Sequence, residues 1–277
     1  MSEQEDPRLA VEIGGESVGA HLDHAIEQGA IVRYDDGSLG FPNDREQSAL
    51  VGRNGGFLQK LGAYRPSCGF LNDFLFDHAY AEAAVPFGCR NCFKIKIVSD
   101  TLRALMSVKD IAESSGHTTK SGPEVDNPTN QALYATYLYF DGLGQARQAY
   151  KGIRESIDRH GNLGPGIVMT IKRGCSNYER ACGPSDRYSF DPRLEAVEKY
   201  LSQRFAKRPR SPLHQEMVDA MRMLRMVQTA YRIGDETYAD FTDGTPLYPP
   251  LVSYAPDETE APLEEHAGGP AGSDHVA

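Results

Sequence analysis

The most regular alternation of hydrophobic and polar positions begins at Cys92. From Phe93 onward, apolar side chains occupy every second position, with Lys94 and Lys96 between them, which is the period of a strand with one buried face. Elsewhere apolar residues recur every three or four positions, which predicts helices. The predicted elements are a strand from residue 92, a helix over 102–114, a weak exposed strand over 117–126, a strand over 133–140, a helix after Gly144 and a strand over 167–172.

This order of elements predicts an α+β fold with a ferredoxin-like split βαβ core over about residues 92–172. In such a sheet the strands lie in the order 4-1-3-2, so the first and last strands are antiparallel neighbours. The start of the strand at Cys92 is therefore expected beside the end of the strand at Lys172. The name describes a topology and does not by itself imply an iron-sulfur cluster.

The flanking segments divide the chain into four predicted parts. Apolar residues at helical spacing predict the flanking helices, and a turn of Asp, Gly and Ser predicts a hairpin near the N-terminus. The last residues are rich in Glu, Gly, Pro and Ala, a composition typical of disorder. The parts are a lead-in over 1–60, a core with the cysteine cluster over 61–190, a helical segment over 191–255 and a disordered tail over 256–277. The lead-in has a helix at 17–28 and a hairpin at 30–41, and the helical segment has helices at 192–207 and 212–232. The core part includes a helix at 70–84 and a loop at 127–130.

Cys89 and Cys92 form a Cys-x-x-Cys pair directly before the first core strand. Two intervening residues let both sulfurs point at one metal group, as in zinc and iron-sulfur sites, but the pair is only half of a four-ligand site. The predicted sheet brings Cys175, just past the last strand, to the same corner. Cys182 is expected on the loop that leaves this corner, and Cys68 lies one predicted helix upstream of the pair.

The expected shell is Cys68, Cys89 and Cys92 with either Cys182 or Cys175 as the fourth ligand. Cys182 is preferred, because a Gly-Pro dipeptide follows it and glycine lets the backbone approach a ligand sulfur. Structural zinc sites usually have two close cysteine pairs, whereas this chain has one pair and widely separated single cysteines. The spacing therefore favours a [4Fe-4S] cluster, with zinc as the alternative. The Cys-x3-Cys-x2-Cys signature of radical S-adenosylmethionine enzymes is absent.

Charge and cysteine count narrow the function classes. With 39 acidic against 29 basic residues the formal net charge is -10, which argues against binding to nucleic acid through its phosphates. Five cysteines are an odd number, and the acidic N-terminus is unlike a signal peptide, so reduced thiols in the cytoplasm are expected. No apolar run approaches the roughly 18 residues of a membrane span, so no membrane partner is expected.

The expected function is that of a [4Fe-4S] protein with a redox, cluster-dependent catalytic or regulatory role, acting with a protein or redox partner. The alternative is a zinc-stabilised module whose open sheet binds RNA or protein. Aromatic side chains would then stack on bases and lysines would contact phosphates; these are Tyr137, Tyr139, Lys94 and Lys96. Whether the chain is an enzyme stays open. The candidates for lining a pocket beside the cysteines are Asp73, Asp77, His78 and Arg90.

Overall fold

The computed structural model describes residues 6–42, 56–125, 131–206 and 212–247, the side chains of 212–215 excepted. Residues 1–244 form one compact unit and residues 245–277 a second, of which only 245–247 are described. The loop predicted at 127–130 and the tail predicted at 256–277 lie outside the described residues.

The N-terminal segment consists of two short hairpins and one helix. The elements are β1 (Glu12–Ile13), β2 (Glu16–Ser17), α1 (Val18–Glu27), β3 (Val32–Arg33) and β4 (Leu39–Gly40). The helix begins at Val18 because the Ser17 side chain accepts a hydrogen bond from the Ala20 amide at 3.1 Å. It ends before Gly29, whose φ of 69° only glycine adopts at little cost. The helix and the second hairpin agree with the prediction.

The central sheet has five strands, all paired in antiparallel fashion. They are β5 (Leu58–Lys60), β6 (Cys92–Ser99), β7 (Thr118–Pro123), β8 (Tyr134–Asp141) and β9 (Met169–Arg173). Their spatial order is β5-β7-β8-β6-β9. The strand that begins at Cys92 is therefore flanked on both sides, and it neighbours the last strand as expected. The edge strand β5 was not predicted.

Two long helices, α2 (Leu102–Ser114) and α3 (Leu143–Arg159), cover one face of this sheet. Thr101 starts α2 by accepting a hydrogen bond from the Ala104 amide at 3.2 Å. The alternating apolar positions of the strands meet the apolar stripes of both helices. The shared core contains Ile95, Ile97, Val108, Ala112, Leu138, Phe140, Ala146, Ile153 and Ile157. The fold is thus α+β, with helices packed on a five-stranded antiparallel sheet.

A π-helix over Gly69–Ala79 replaces the longer helix predicted at 70–84. At its end the Tyr80 amide donates to the Leu75 carbonyl, five residues earlier, at 2.8 Å. The helix stops there because Ala81 and Glu82 adopt φ values of 44° and 61°, which no right-handed helix accommodates. Its apolar side chains point both ways, because it lies between the N-terminal core and the cluster of residues around the cysteines.

The C-terminal segment contacts both the N-terminal core and the central sheet. It contains α4 (Ser176–Cys182), α5 (Arg193–Arg204), α6 (Pro212–Arg232) and a 3-10 turn over Glu236–Phe241. Helix α5 packs into the N-terminal core through Leu194 and Val197. Asp235 accepts hydrogen bonds from the Leu102 amide at 2.6 Å and from the Tyr134 hydroxyl at 2.8 Å. Among the described helices, none combines the length and the apolar character that a membrane crossing requires.

Candidate metal centre

Cys92 and Cys175 come together where β6 begins and β9 ends. Phe93 pairs with Arg173 across the two strands, and the Gly174 amide donates to the Cys92 carbonyl at 3.0 Å. Cys175 follows directly. The meeting of these two cysteines, which are distant in sequence, was predicted from the strand order and is confirmed by the pairing.

Cys68 and Cys89 reach the same place from two other segments. Cys68 stands immediately before the π-helix, and Cys89 ends a 3-10 turn over Phe87–Cys89 that leads into β6. Cys89 and Cys92 are buried, with 6% and 4% of their surface exposed, whereas Cys68 and Cys175 are half-buried. These four cysteines and Cys182 belong to one packed cluster, and all five are free of disulfides.

The pKa shifts of these thiols show that they influence one another. Burial raises the pKa of the Cys68 thiol to about 12, and the neighbouring Cys175 is the second cause. Burial likewise raises the pKa of Cys89 well above its usual value, and it also raises the pKa of Cys92. Cys175 adds to both shifts. Thiolates this close together repel each other unless a cation lies between them. The metal-free chain therefore holds these thiols protonated, and a bound metal would displace the protons.

Lys94 supplies a buried positive charge beside the four thiols. Its ammonium donates to the Cys175 sulfur at 3.3 Å and lies 5.4 Å from the centre of the Tyr139 ring. Burial acts to lower the pKa of Lys94, but Cys175, Tyr139 and Cys92 outweigh it and raise that pKa well above its ordinary value. Within the described ranges no carboxylate forms an ion pair with this side chain. The sulfur atoms are thus the groups that can provide its counter-charge.

Cys182 packs against the same cluster but differs from the four in the contact that its sulfur makes. It ends α4, a helix rather than the predicted loop, and at 1.5 Å per residue the seven residues from Cys175 to Cys182 span roughly 10 Å. The Cys182 thiol donates to the Glu82 carbonyl at 3.5 Å. Its pKa is raised by burial and by the Glu82 carboxylate, with no contribution from another cysteine. The geometry thus favours Cys175 over Cys182 as the fourth member, opposite to the preference drawn from the sequence.

Aromatic side chains enclose the thiols. The Tyr178 hydroxyl lies 3.5 Å from the Cys89 sulfur, and Tyr64 packs against the same cluster. The Phe76 and Tyr178 rings pack with their centres 4.4 Å apart. Tyr178 is completely buried. Rings packed in this way keep bulk water from the sulfur atoms while leaving hydroxyl groups as hydrogen-bond donors to them.

Glu198 of α5 holds the turn that carries Cys89. Its carboxylate accepts hydrogen bonds from the amides of Phe87 and Gly88 at 2.6 and 2.9 Å and from the Tyr80 hydroxyl at 3.1 Å. A Cβ on Gly88 would lie 2.8 Å from a methyl carbon of Leu71 and 3.1 Å from the Glu198 carboxylate, so a larger residue there would make the Leu71 side chain shift. A helix more than 100 residues downstream thereby orients the Cys-x-x-Cys pair.

Replacing Glu198 by alanine is expected to lower the free energy of unfolding by about 2 kcal/mol, because three donors lose their shared acceptor. Urea unfolding measures the change. Lys199→Ala, an exposed substitution on the same helix, is the control and should stay within roughly 0.5 kcal/mol of the parent. Equal stabilities for the two variants would contradict the proposed clamp.

The metal-free protein is expected to lose stability as the pH rises above 9. The thiol of Cys68 has a pKa of about 12 in the folded chain against 9.0 when exposed, and those of Cys89 and Cys92 are also raised. The folded state therefore holds these protons more tightly than the unfolded state, and its advantage disappears between pH 9 and the folded pKa values. Urea unfolding of chelator-treated protein from pH 7 to 10.5 tests this. A flat profile would show that the thiols are not buried together.

Each of the acid-base candidates makes a contact with a residue outside the set. Asp73 accepts from the Asn72 amide group at 2.8 Å, and Asp77 accepts from Asn177 at 3.4 Å. The His78 ring packs on Phe41 on the N-terminal side. Arg90 is exposed and lies over the Phe87 ring at 4.2 Å. These contacts explain each side chain structurally, so a catalytic role for any of them stays a prediction.

The sheet face expected to meet RNA in the alternative reading is largely covered. Lys94 and Tyr139 are each only 7% exposed, so neither a base nor a phosphate reaches them. Tyr137 is half-buried and donates its hydroxyl to Glu124 at 2.6 Å. The reason is that segments outside the 92–172 core, chiefly the π-helix and α4, pack on this face.

The sequence analysis missed two features of the centre: Lys94 as a buried counter-charge and Glu198 as the residue that holds the Cys89 turn. Tyr178 was expected to help exclude water from the cysteines, and it is completely buried among them. Lys94 carried a usable signal, because it lies two residues after Cys92 on the same face of the strand. Glu198 carried none, because its partners lie on a distant turn.

No group of three or more His, Cys, Asp or Glu side chains stands ready to hold a metal ion within the described part of the chain. No family model, curated protein or solved structure matches this chain. Its chemistry is therefore argued from the arrangement of its own residues.

Proposed function

We propose that the protein binds a [4Fe-4S] cluster through Cys68, Cys89, Cys92 and Cys175 and uses it in redox chemistry. Four thiols from three separate segments converge at one corner of the sheet, and four thiolates are the ligand set of such a cluster. Cys182, which the sequence favoured as fourth ligand, is replaced by Cys175 in this proposal because of its contact with the Glu82 carbonyl.

The contact between Lys94 and the Cys175 sulfur is the observation that carries the proposal. A buried ammonium without a negative partner costs several kcal/mol, and removing its partner is as damaging as breaking a buried ion pair. Among the described residues Lys94 has no carboxylate ion pair, so the sulfur atoms are the groups available to balance its charge. An anionic, thiolate-ligated metal group would instead be stabilised by it.

Iron-sulfur is preferred to zinc because the fold has large hydrophobic cores besides the cysteine cluster. Structural zinc is typical of small modules whose folding free energy comes from the metal. Here two extended hydrophobic cores flank the cysteines, one with the N-terminal helix and one under α2 and α3. The enclosing aromatic rings fit a redox centre that excludes water.

We further propose that the core is ferredoxin-like in topology. Along the chain the elements run β6-α2-β7-β8-α3-β9, and in the sheet the four strands lie in the order β7-β8-β6-β9. This order is 2-3-1-4, which read backwards is the expected 4-1-3-2. Strand β5 extends the sheet at the β7 edge. A cytoplasmic location is part of the proposal, because all five cysteines are free and reducing conditions keep them so.

A redox role follows from the complete set of four protein ligands, because it leaves no iron open for a substrate. The test is purification of the full chain under strictly anaerobic conditions, with iron, sulfide and zinc analysis and a visible spectrum. About four irons and four sulfides per chain, with a broad absorption that bleaches on reduction, are expected. A colourless protein with one zinc per chain would overturn the proposal.

A further inference from the structure

The sheet face that carries the cysteines also carries a concentration of lysines. Strand pairing places Lys94 beside Lys172 and opposite Tyr139, and in the adjacent row it places Lys96 and Lys120 on either side of Tyr137. Paired residues share a face, so all four lysines point to the same side of the sheet. In a chain with a net charge of -10, such a face is exceptional.

The four lysines differ in their partners. Lys172 forms an ion pair with Glu179 at 2.5 Å, and Lys94 donates to the Cys175 sulfur. The Glu124 carboxylate acts electrostatically on both Lys96 and Lys120. Lys120 differs from Lys172 and Lys94. Within the part of the chain that the structure describes, its ammonium has no carboxylate partner in an ion pair and lies 4.1 Å from the centre of the Phe57 ring.

Lys120 is held where its charge is costly. Burial lowers the pKa of Lys120, and the charge of Lys94 lowers it further, whereas Glu124, Cys68 and Cys175 act in the opposite direction. Its neighbours Tyr137 and Phe57 are half-buried, as Lys120 is itself, so this part of the face borders solvent, whereas Lys94 is buried. A half-buried cation with an aromatic wall and no carboxylate in ion-pair contact among the described residues has the features of a site that receives an anionic group from a ligand.

We propose that Lys120, bordered by Phe57, Tyr137 and Lys96, binds a small molecule through a phosphate or carboxylate group. The row that holds Lys120 follows the Lys94 row by two residues along each strand, roughly 7 Å. The ligand would thus lie next to the metal centre without touching its sulfurs. This inference goes beyond the proposed redox function and does not depend on which metal occupies the thiols.

The test is a thermal-shift titration of the full chain with inorganic phosphate and, separately, malonate, at an ionic strength kept constant with sodium chloride. A ligand that binds only the folded state raises Tm in a saturable way. At least one probe is expected to do so. Lys120→Gln is expected to weaken that probe by about tenfold or more, because a charge-assisted hydrogen bond is lost. Lys120→Arg, which keeps the charge, is expected to retain binding.

Lys60→Gln is the matched control, since Lys60 lies on the neighbouring strand, pairs with Thr119 on the opposite face and donates to the Glu113 carbonyl at 3.3 Å. It should bind like the parent. A parent protein with no saturable response to either probe, or equal affinities in Lys120→Gln and the parent, would overturn the site. Metal content is measured on every sample. Anion binding by a chain that never contains metal would support the lysine site and overturn the metal centre. A loaded cluster in a protein with no anion response would support the metal centre and overturn the lysine site.

Discussion

Replacing Cys175 by alanine is expected to remove bound iron from the protein, while the same change at Cys182 is expected to leave it. Cys175 shares the pocket of Cys68, Cys89 and Cys92, whereas the Cys182 sulfur faces the Glu82 carbonyl. Loss of a direct ligand should lower metal retention by more than the roughly 10- to 100-fold typical of losing a hydrogen-bond partner to a ligand. Alanine is chosen over serine because a hydroxyl oxygen can itself bind iron.

Iron and sulfide per chain, measured after anaerobic purification of each variant, decide this prediction. Cys68→Ala, Cys89→Ala and Cys92→Ala are expected to behave like Cys175→Ala. Cys182→Ala is the matched control, because it removes a half-buried thiol from the same helix. If Cys182→Ala lost the iron and Cys175→Ala kept it, the preference drawn from the sequence would be restored and the shell proposed from the structure would be wrong.

Replacing Lys94 by methionine is expected to stabilise the metal-free chain and to weaken the loaded one. In the metal-free chain the substitution removes a buried charge that has no carboxylate ion pair among the described residues, and an apolar side chain of similar length fits the same space. In the loaded protein it removes the cation that offsets the thiolates. A unit charge at roughly 5 Å in an effective dielectric of about 20 contributes on the order of 3 kcal/mol, so the reduction potential should fall by on the order of 100 mV.

Opposite signs in the two states distinguish this role from a purely structural one. Urea unfolding of chelator-treated protein gives the stability of the metal-free chain, and a redox titration of the visible spectrum gives the reduction potential of the loaded protein. Lys172→Met is the control, because Lys172 lies beside Lys94 in the sheet but is paired with Glu179. If both variants shift the potential equally, Lys94 has no special position at the centre.

Much of the candidate site could be predicted from local pattern and topology. The alternation after Cys92 marks a strand, and the sequence of elements makes that strand the neighbour of the one before Cys175. Antiparallel pairing then determines which ends meet. The helix at 70–84 was predicted in position but not in kind, because its switch to π geometry and its stop at Ala79 depend on packing between two cores.

The choice between the two late cysteines could not be made from the sequence. Residues after β9 were expected to form a loop that leaves both sulfurs free to approach. Instead a short helix separates Cys175 from Cys182 by two turns, roughly 10 Å, and the Cys182 sulfur contacts the Glu82 carbonyl. Glycine and proline after Cys182 are explained by the end of that helix, where Gly183 has a φ of 82°.

The sequence by itself determined the α+β class, the central place of the strand at Cys92 and the meeting of Cys92 with Cys175, because hydrophobic period and strand order are properties of the chain. Only the tertiary structure decided that Lys94 is buried against the Cys175 sulfur, that Glu198 orients the Cys-x-x-Cys turn and that the Cys182 sulfur contacts the Glu82 carbonyl. The physical reason is that these contacts join segments whose mutual placement depends on how the helices pack over the sheet, and no local pattern records that placement.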